Sequence, residues 1–197
     1  MSTGNHACPN PNQAVPWPYT DEAAVDPGGT GDCGKEAKAM AGKCSSPTDT
    51  SPACCAVPER QCVMVAKKDD KDACCSNHGS TGHHAIPKQE LCTEGSKGKT
   101  PLTGNPNYKH LDAPCVCAKG GSPGVRDSDG MIGSHAKFHN AYKAGRTAHI
   151  EDGGAWDYPS AKKVAAQAVE KETGCTAKCI EHQIAHYHDS RVTEVRV

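Results

Sequence analysis

The sequence predicts an α+β fold with a loop-rich, cysteine-containing segment at its start. Three observations predict it. Residues 1–58 are rich in Pro, Gly, Ser and Thr, the middle of the chain holds short β-prone runs, and the part after 134 has helical periodicity between capping signals. We therefore expect two parts: 1–58 as a loop-rich extension or linker, and 59–197 as the folded domain.

The composition predicts a small core. Hydrophobic residues make up 36% of the 197 residues and aromatic residues only 4%. A core of that size usually needs additional cross-links. In the first segment we expect an irregular wrap with one short helix, near 34-GKEAKAMAG-42.

Two runs in the middle of the chain predict strands. The first is 61-QCVMVA-66, which a charged turn, 67-KKDDKD-72, follows. The second is 114-PCVCA-118, which interrupts a turn-rich stretch between about 91 and 130. Both runs are short and rich in Val and Cys, as expected for strands of a small sheet.

Three helices are predicted after residue 134. The first is 135-HAKFHNAYKA-144, with Ser134 as its N-cap and Gly145 as its stop. The others are 159-PSAKKVAAQAVEKET-173, which ends at Gly174, and 177-AKCIEHQIAHYH-188, which Thr176 caps.

Thirteen cysteines give the chain the composition of an exported protein, although MSTGNHACPN has no apolar signal-peptide run. Either another machine exports the chain, or it is a fragment with signals upstream. No window approaches the 18 apolar residues of a membrane span. We expect structural roles for nine of the cysteines. The sequence does not decide whether they form disulfides, bind zinc or stay free: Cys54, Cys55, Cys62, Cys74, Cys75, Cys115, Cys117, Cys175 and Cys179.

Charge is unevenly distributed. The net charge is −1, which gives no overall argument for nucleic acid, but residues 88–146 hold nine Lys or Arg against five acids. A solvated surface and a phosphate-binding face both fit that excess.

Four histidines form the most informative pattern. His83 and His84 follow Gly82, and His135 and His139 are spaced four apart on one helical face. Three imidazoles can hold a divalent ion while leaving a position open for water or substrate. The remaining histidine, with a pKa near neutrality, can serve as a general base. A regular strand points neighbours to opposite faces, so we expect Gly82 to relax the backbone until both histidines reach one cleft.

A second histidine pair has a competing interpretation. The stretch 182-HQIAH-186 is similar to the HExxH helix of metalloproteases, but Gln183 stands where the base would be a glutamate. Cys175 and Cys179 together with His182 and His186 could hold structural zinc, and a disulfide or buried thiols fit equally well.

The order of these motifs resembles the GHH group of bacterial polymorphic toxins, within the HNH and endonuclease VII nucleases. The resemblance covers about 60–190 and rests on 62-CVMVA-66, Cys74-Cys75, 82-GHHAIPK-88, 114-PCVC-117, 135-HAKFH-139 and 175-CTAKCIEHQIAHYH-188. It implies a small ββα-metal centre, in which a hairpin packs on one helix around a single divalent ion. Residues 59–197 would then be the nuclease toxin domain.

The resemblance also implies roles for individual residues. His83, His135 and His139 would bind the metal, His84 would be the general base, and Asn140 would orient a group or act as a ligand. Phosphate contacts of the DNA backbone would come from Lys88, Lys137, Lys143 and Arg146.

The function implied is that of an antibacterial toxin. It would be a metal-dependent, sequence-non-specific DNA endonuclease using Mg, Mn, Ni or Zn, with a metal-bound phosphate. Such toxins form the ends of type VI secretion effectors, often behind a PAAR tip domain. They act in the cytoplasm of the recipient bacterium and are restrained by a cognate immunity protein. The alternatives are an RNase toxin of the same fold and a non-catalytic, zinc-stabilised Cys/His binding module.

Overall fold

The computed structural model describes residues 31–44, 49, 51–69, 74, 80–93, 100–120 and 134–196. In these residues the fold is α+β, as predicted. The sheet consists of β1 (Val65–Ala66), β2 (Ser80–His84) and β3 (Pro114–Lys119). The strands lie in the order β1-β3-β2 and both pairings are antiparallel.

Helices precede and follow this sheet in the sequence, and the described residues also include three short 3-10 turns. The helices are α1 (Gly34–Met40), α2 (Pro52–Cys55), α3 (Ser134–Glu151), α4 (Tyr158–Thr173) and α5 (Ala177–His188). The 3-10 turns are Pro58–Cys62, Lys67–Asp69 and Lys88–Glu90. Strand β3 and the helices α1, α4 and α5 follow the predicted segments within one or two residues.

The strand predicted at 61–66 is mostly absent, because only Val65 and Ala66 pair with β3. The backbone groups just before β1 form hydrogen bonds with a side chain instead. Gln183 of α5 accepts a hydrogen bond from Met64 N at 2.9 Å and donates one to Cys62 O at 2.9 Å. The buried amide thus replaces the partner strand that these groups would otherwise need.

Helix α3 is longer than predicted, because it continues through Gly145 to Glu151. A Cβ added to Gly145 would lie 2.8 Å from Cγ1 of Val164 in α4. The glycine therefore serves close packing between two helices and does not terminate either one. At the start of α3, Ser134 Oγ accepts a hydrogen bond from Lys119 N at 2.7 Å, which fastens the helix to β3.

The start of α5 is capped differently from the prediction. The Thr176 side chain makes no capping bond. Instead Glu36 of α1, which is fully buried, accepts a hydrogen bond from Thr176 N at 2.9 Å, and Glu170 accepts one from Ala177 N at 3.0 Å. A carboxylate at a helix N-terminus also favours the helix dipole. The end of α4 is as predicted, with Gly174 in the left-handed region at a φ of 75°.

Disulfides fasten the first segment to the rest of the chain. Cys33–Cys179 and Cys62–Cys175 reach α5 and the residues just before it from α1 and from the first 3-10 turn. The other pairs are Cys44–Cys54 and Cys55–Cys74, and Cys117 is also disulfide-bonded, whereas Cys92 and Cys115 are buried thiols. Cys75 lies outside the described residues. The described part of 1–58 therefore packs on the folded domain, and the boundary near 58 stays a prediction.

The main core lies between the sheet and the helices α3, α4 and α5. It includes Met64, Ile86, Phe138, Ile180 and Ile184, all essentially inaccessible to solvent. Cys33 and Cys179 join a smaller cluster between α1 and α5. Among the described residues, no helix combines the length and apolar character that a membrane span requires.

Candidate active site

Three histidines meet where β2 packs against α3. The ring of His83 lies 4.7 Å from that of His135 and 4.7 Å from that of His139, measured between centroids. One ligand nitrogen from each of the three lies within 4.8 Å of the others. The strand and the helix thus bring together the three residues predicted as metal ligands.

Local structure explains this convergence. His135 and His139 are one turn apart on α3, so their rings lie side by side with centroids 5.2 Å apart. His83 pairs with Val116 in the centre of the β2–β3 ladder, and its ring faces the helix. It is 4% exposed and stacks on Phe138 with a centroid distance of 5.1 Å.

The electrostatic environment suits a cation bound by neutral imidazoles. Burial, and then the neighbouring His139 and His135, hold the pKa of His83 well below its usual value. Burial likewise lowers the pKa of His135 and of His139. Metal ligation needs the unprotonated ring. Among the described residues, Nδ1 of His135 is moreover buried without a hydrogen-bond partner, an arrangement that a bound ion would relieve. The residues present therefore fit a divalent metal.

His84 points to a different neighbour. Its Nε2 lies 2.8 Å from the carbonyl oxygen of His110. Because a carbonyl only accepts hydrogen bonds, Nε2 must carry the proton and Nδ1 keeps its lone pair. Burial lowers the pKa of His84 to about 4, with the His110 hydrogen bond opposing that shift and the charge of Lys67 adding to it. At neutral pH the ring is therefore neutral, with its one proton on Nε2 and a free lone pair on Nδ1.

The irregular backbone expected at Gly82 is not found. Gly82 pairs with Cys117 inside a continuous ladder that runs to His84. His83 and His84 therefore diverge as in any strand, one toward α3 and the other toward the turn containing His110. Both still line one cleft, because the cleft is bounded by α3 and by that turn.

The cleft has a volume of about 870 Å³. Besides the four histidines, its lining includes Lys67, Lys88, His110, Asn140 and Lys143. Lys67 donates a hydrogen bond to Gly82 O at 3.1 Å, so a cation lies beside the histidine pair. Lys67 and His110 were not predicted as site residues, because Lys67 belongs to a run of charged residues and His110 contributes its backbone carbonyl.

The two remaining predicted phosphate contacts differ in their surroundings. Lys137 is exposed on α3 but is not part of the cleft lining. Arg146 lines the cleft and forms an ion pair with the buried Glu90 at 3.4 Å, while its guanidinium lies 5.3 Å from the centroid of the Trp156 ring. Its packing role is thus visible in the structure, and a phosphate contact stays a prediction.

The second histidine pair forms no comparable site. Cys175 and Cys179 are bonded to Cys62 and Cys33, so their sulfurs are not available to zinc. Gln183 is buried against the backbone of residues 62–64. The metalloprotease and zinc interpretations of this stretch are therefore wrong.

Comparisons with known proteins agree with this geometry. Residues 80–188 match the family described as "GHH signature containing HNH/Endo VII superfamily nuclease toxin 2", a range that includes β2, β3 and the helices α3, α4 and α5. The chain is also similar to the DNase toxin Tse7 of Pseudomonas aeruginosa, at 28% identity over 95% of this chain. It spans 57% of the length of that relative. No solved structure matches. The chain belongs to the GHH-signature nuclease toxins of the HNH/endonuclease VII superfamily.

Proposed function

We propose that this chain is a metal-dependent, sequence-non-specific DNA endonuclease that acts as an antibacterial toxin. The observation that carries the proposal is the His83–His135–His139 cluster, with His84 beside it in one cation-lined cleft. The name of the similar Pseudomonas aeruginosa protein, DNase toxin, favours DNA as the substrate.

The metal would be held by His83, His135 and His139. A set of three imidazoles suits Zn or Ni better than Mg, which prefers oxygen ligands, and Mn lies between them. When bound, the ion supplies positive charge that stabilises the phosphate and the leaving oxygen. The low pKa values of the three rings keep them competent as ligands in mildly acidic solution.

His84 would act as the general base. Its Nδ1 accepts a proton from the attacking water, while Nε2 keeps its hydrogen bond to His110 O. That carbonyl stabilises the positive ring formed after proton transfer. The phosphodiester P–O bond to the leaving 3′ oxygen then breaks as the new P–O bond forms.

Cations of the cleft would hold the backbone of the substrate. Lys67, Lys88 and Lys143 line the cleft. Contacts from these side chains to phosphates would not depend on the base sequence. Arg146 would add charge at the far end, and Asn140, which follows the ligand His139, would orient the scissile phosphate. Because these contacts go to phosphates, activity should fall as salt rises.

The experiment is a plasmid-cleavage assay with purified protein and Zn, Ni, Mn or Mg in turn. The proposal predicts that the wild type nicks the plasmid, that EDTA abolishes the nicking, and that His84→Ala reduces its rate by about a hundredfold or more. His186→Ala is the matched control, since His186 is exposed on α5 outside the cleft. If the folded wild type leaves DNA intact with every metal, the proposed DNase activity is wrong. Cleavage of RNA alone would favour an RNase toxin, and cleavage of neither would favour the zinc-stabilised module.

The biological setting is part of the same proposal. We expect delivery by contact-dependent type VI secretion, linkage to a PAAR domain, action in the recipient cytoplasm and neutralisation by a cognate immunity protein. Induced cytoplasmic expression in a bacterium tests toxicity directly. The wild type should kill and degrade the chromosome, and His84→Ala should do neither.

A further inference from the structure

A tyrosine from the last turn of α5 fixes the peptide that precedes the His84 partner. The Tyr187 hydroxyl donates a hydrogen bond to Lys109 O at 2.8 Å and accepts one from Lys109 N at 3.3 Å. One side chain thus holds both backbone groups of one residue. The next residue is His110, whose carbonyl oxygen bonds to His84 Nε2.

We propose that Tyr187 is a positioning residue for the general base, acting through the Lys109–His110 backbone. The inference rests on the proposed function, in which His84 is that base. Tyr187 touches neither substrate nor metal in this scheme. It fixes the one acceptor that determines which nitrogen of His84 carries the proton.

The turn that holds His110 is fastened at both ends. On its sheet side it is bound by backbone hydrogen bonds, from Lys68 N to Leu111 O at 2.8 Å and from Lys67 N to Ala113 O at 3.0 Å. Within the turn, Asp112 N also donates a hydrogen bond to Lys109 O at 2.9 Å. The Tyr187 hydroxyl binds the same carbonyl and also Lys109 N, so it attaches the turn to α5 directly before His110.

Tyr187 is itself rigidly placed. Its ring is 7% exposed, and the Arg191 guanidinium lies 4.6 Å from the ring centroid. Arg191 also donates a hydrogen bond to Tyr187 O at 2.7 Å. The helix that carries Tyr187 is tied to the segment before β1 by Gln183, which bonds to Met64 N and Cys62 O, and to the start of α1 by the Cys33–Cys179 disulfide.

Loss of this clamp has a defined chemical consequence. If the His110 carbonyl moves, the Nε2–H tautomer of His84 loses its stabilisation and the Nδ1–H tautomer becomes populated. In that tautomer the lone pair sits on the nitrogen that faces the turn. The base is then misdirected, while the three metal ligands on β2 and α3 are unchanged.

The test compares Tyr187→Phe with Tyr158→Phe. Tyr158 is also a buried tyrosine whose hydroxyl makes one strong hydrogen bond, to Asp189 Oδ1 at 2.6 Å, and it lies outside the cleft lining. Tyr187→Phe should lower kcat by at least about tenfold, with KM and the Kd for Zn unchanged. Tyr158→Phe should leave kcat within about twofold of the wild type.

A second measurement does not depend on activity. The ¹⁵N histidine spectrum of the wild type, assigned with His84→Gln, should show His84 as the Nε2–H tautomer, and Tyr187→Phe should show a mixture. An unchanged tautomer, or equal loss of kcat in both phenylalanine variants, would overturn the positioning role. The wild type could also lack nuclease activity while the His84 tautomer still changes in Tyr187→Phe. That result would overturn the proposed function, but it would establish that Tyr187 controls the tautomer.

Discussion

The aromatic ring of Phe138 lies parallel to the imidazole of His83, with centroids 5.1 Å apart and 10° between the planes. Phe138 is 1% exposed and belongs to the main core. It lies between His135 and His139 on α3, yet its stacking partner is His83 of strand β2. Packing of the core therefore fixes the orientation of the His83 ring.

Truncation of Phe138 should affect both stability and metal binding. Phe138→Ala should cost about 3–5 kcal/mol in the free energy of unfolding, and Phe138→Leu less. Phe138→Leu should also weaken Zn binding, because His83 loses the surface against which it stacks. Urea unfolding and calorimetric titration with Zn measure the two effects. Val169→Ala, another core truncation, should lower stability without altering Zn affinity; equal Zn affinity in Phe138→Leu and wild type would contradict the idea.

Stability should fall in acid because of His188. Both ring nitrogens of His188 are buried and have no hydrogen-bond partner in the part of the chain that the structure describes, and burial lowers the pKa of His188 to about 3. The unfolded chain binds a proton below about pH 6.5, whereas the native state does not until about pH 3. Each such histidine therefore removes about 1.4 kcal/mol of stability per pH unit as pH falls through that range.

His188→Leu should remove this contribution. Urea unfolding at several pH values between 7 and 4 is the measurement, with ~1.4 kcal/mol less loss per unit in the variant below pH 6.5. At neutral pH the variant should be as stable as the wild type or more so, since a buried polar group without partners has been replaced by an apolar one. Parallel curves for the two proteins would refute the role of His188.

The Cys33–Cys179 disulfide should contribute substantially to stability. Because Cys62–Cys175 already closes most of that loop, the additional loop runs through 33–62 and 175–179. An entropy gain of about 3–4 kcal/mol is expected from a loop of that size. Cys33→Ala/Cys179→Ala should lose that amount in urea unfolding and should also lose activity, as α5 carries Tyr187.

Cys44→Ala/Cys54→Ala is the comparison for that experiment. Its disulfide lies entirely within the first segment, so α5 stays fastened and activity should persist. If both double variants keep full activity, the link from the disulfide through α5 to the site is wrong.

Gly145 should not tolerate a large side chain. A Cβ there already lies 2.8 Å from Val164 Cγ1, so Gly145→Leu must separate α3 from α4. We expect a loss of about 1–3 kcal/mol in thermal or urea unfolding. Ala144→Leu, at the exposed neighbouring position, should change stability by less than about 0.5 kcal/mol. A Gly145→Leu protein as stable as Ala144→Leu would contradict the close packing.

Local patterns in the sequence predicted most of the helices and singled out the three histidines that the structure brings together. The spacing of His135 and His139 needs only helical geometry to place both rings on one face. Gly174 ends α4 because a left-handed residue is favoured there whatever the tertiary context. The α+β class followed from these periodicities, since each depends on neighbours along the chain.

Contacts between distant segments decided the rest. Gly145 has the local signature of a helix stop, but packing against Val164 makes it an interior residue of α3. Gln183 replaces a strand partner for residues 62–64, and Glu36 caps a helix through the backbone of Thr176, which lies 140 positions later. No local pattern encodes those partners.

The sequence by itself determined which groups are available to this protein: three imidazoles that could hold a metal, a fourth that could act as a base, and cysteines that cross-link a small core. Tertiary structure decided how those groups are oriented. His84 Nε2 bonds to the backbone oxygen of His110, and the peptide before it bonds to Tyr187 of α5, the contact through which we propose that Tyr187 positions the base. Every residue has a backbone carbonyl, so the sequence does not show which of them accepts a hydrogen bond from His84. Only the folded chain shows it.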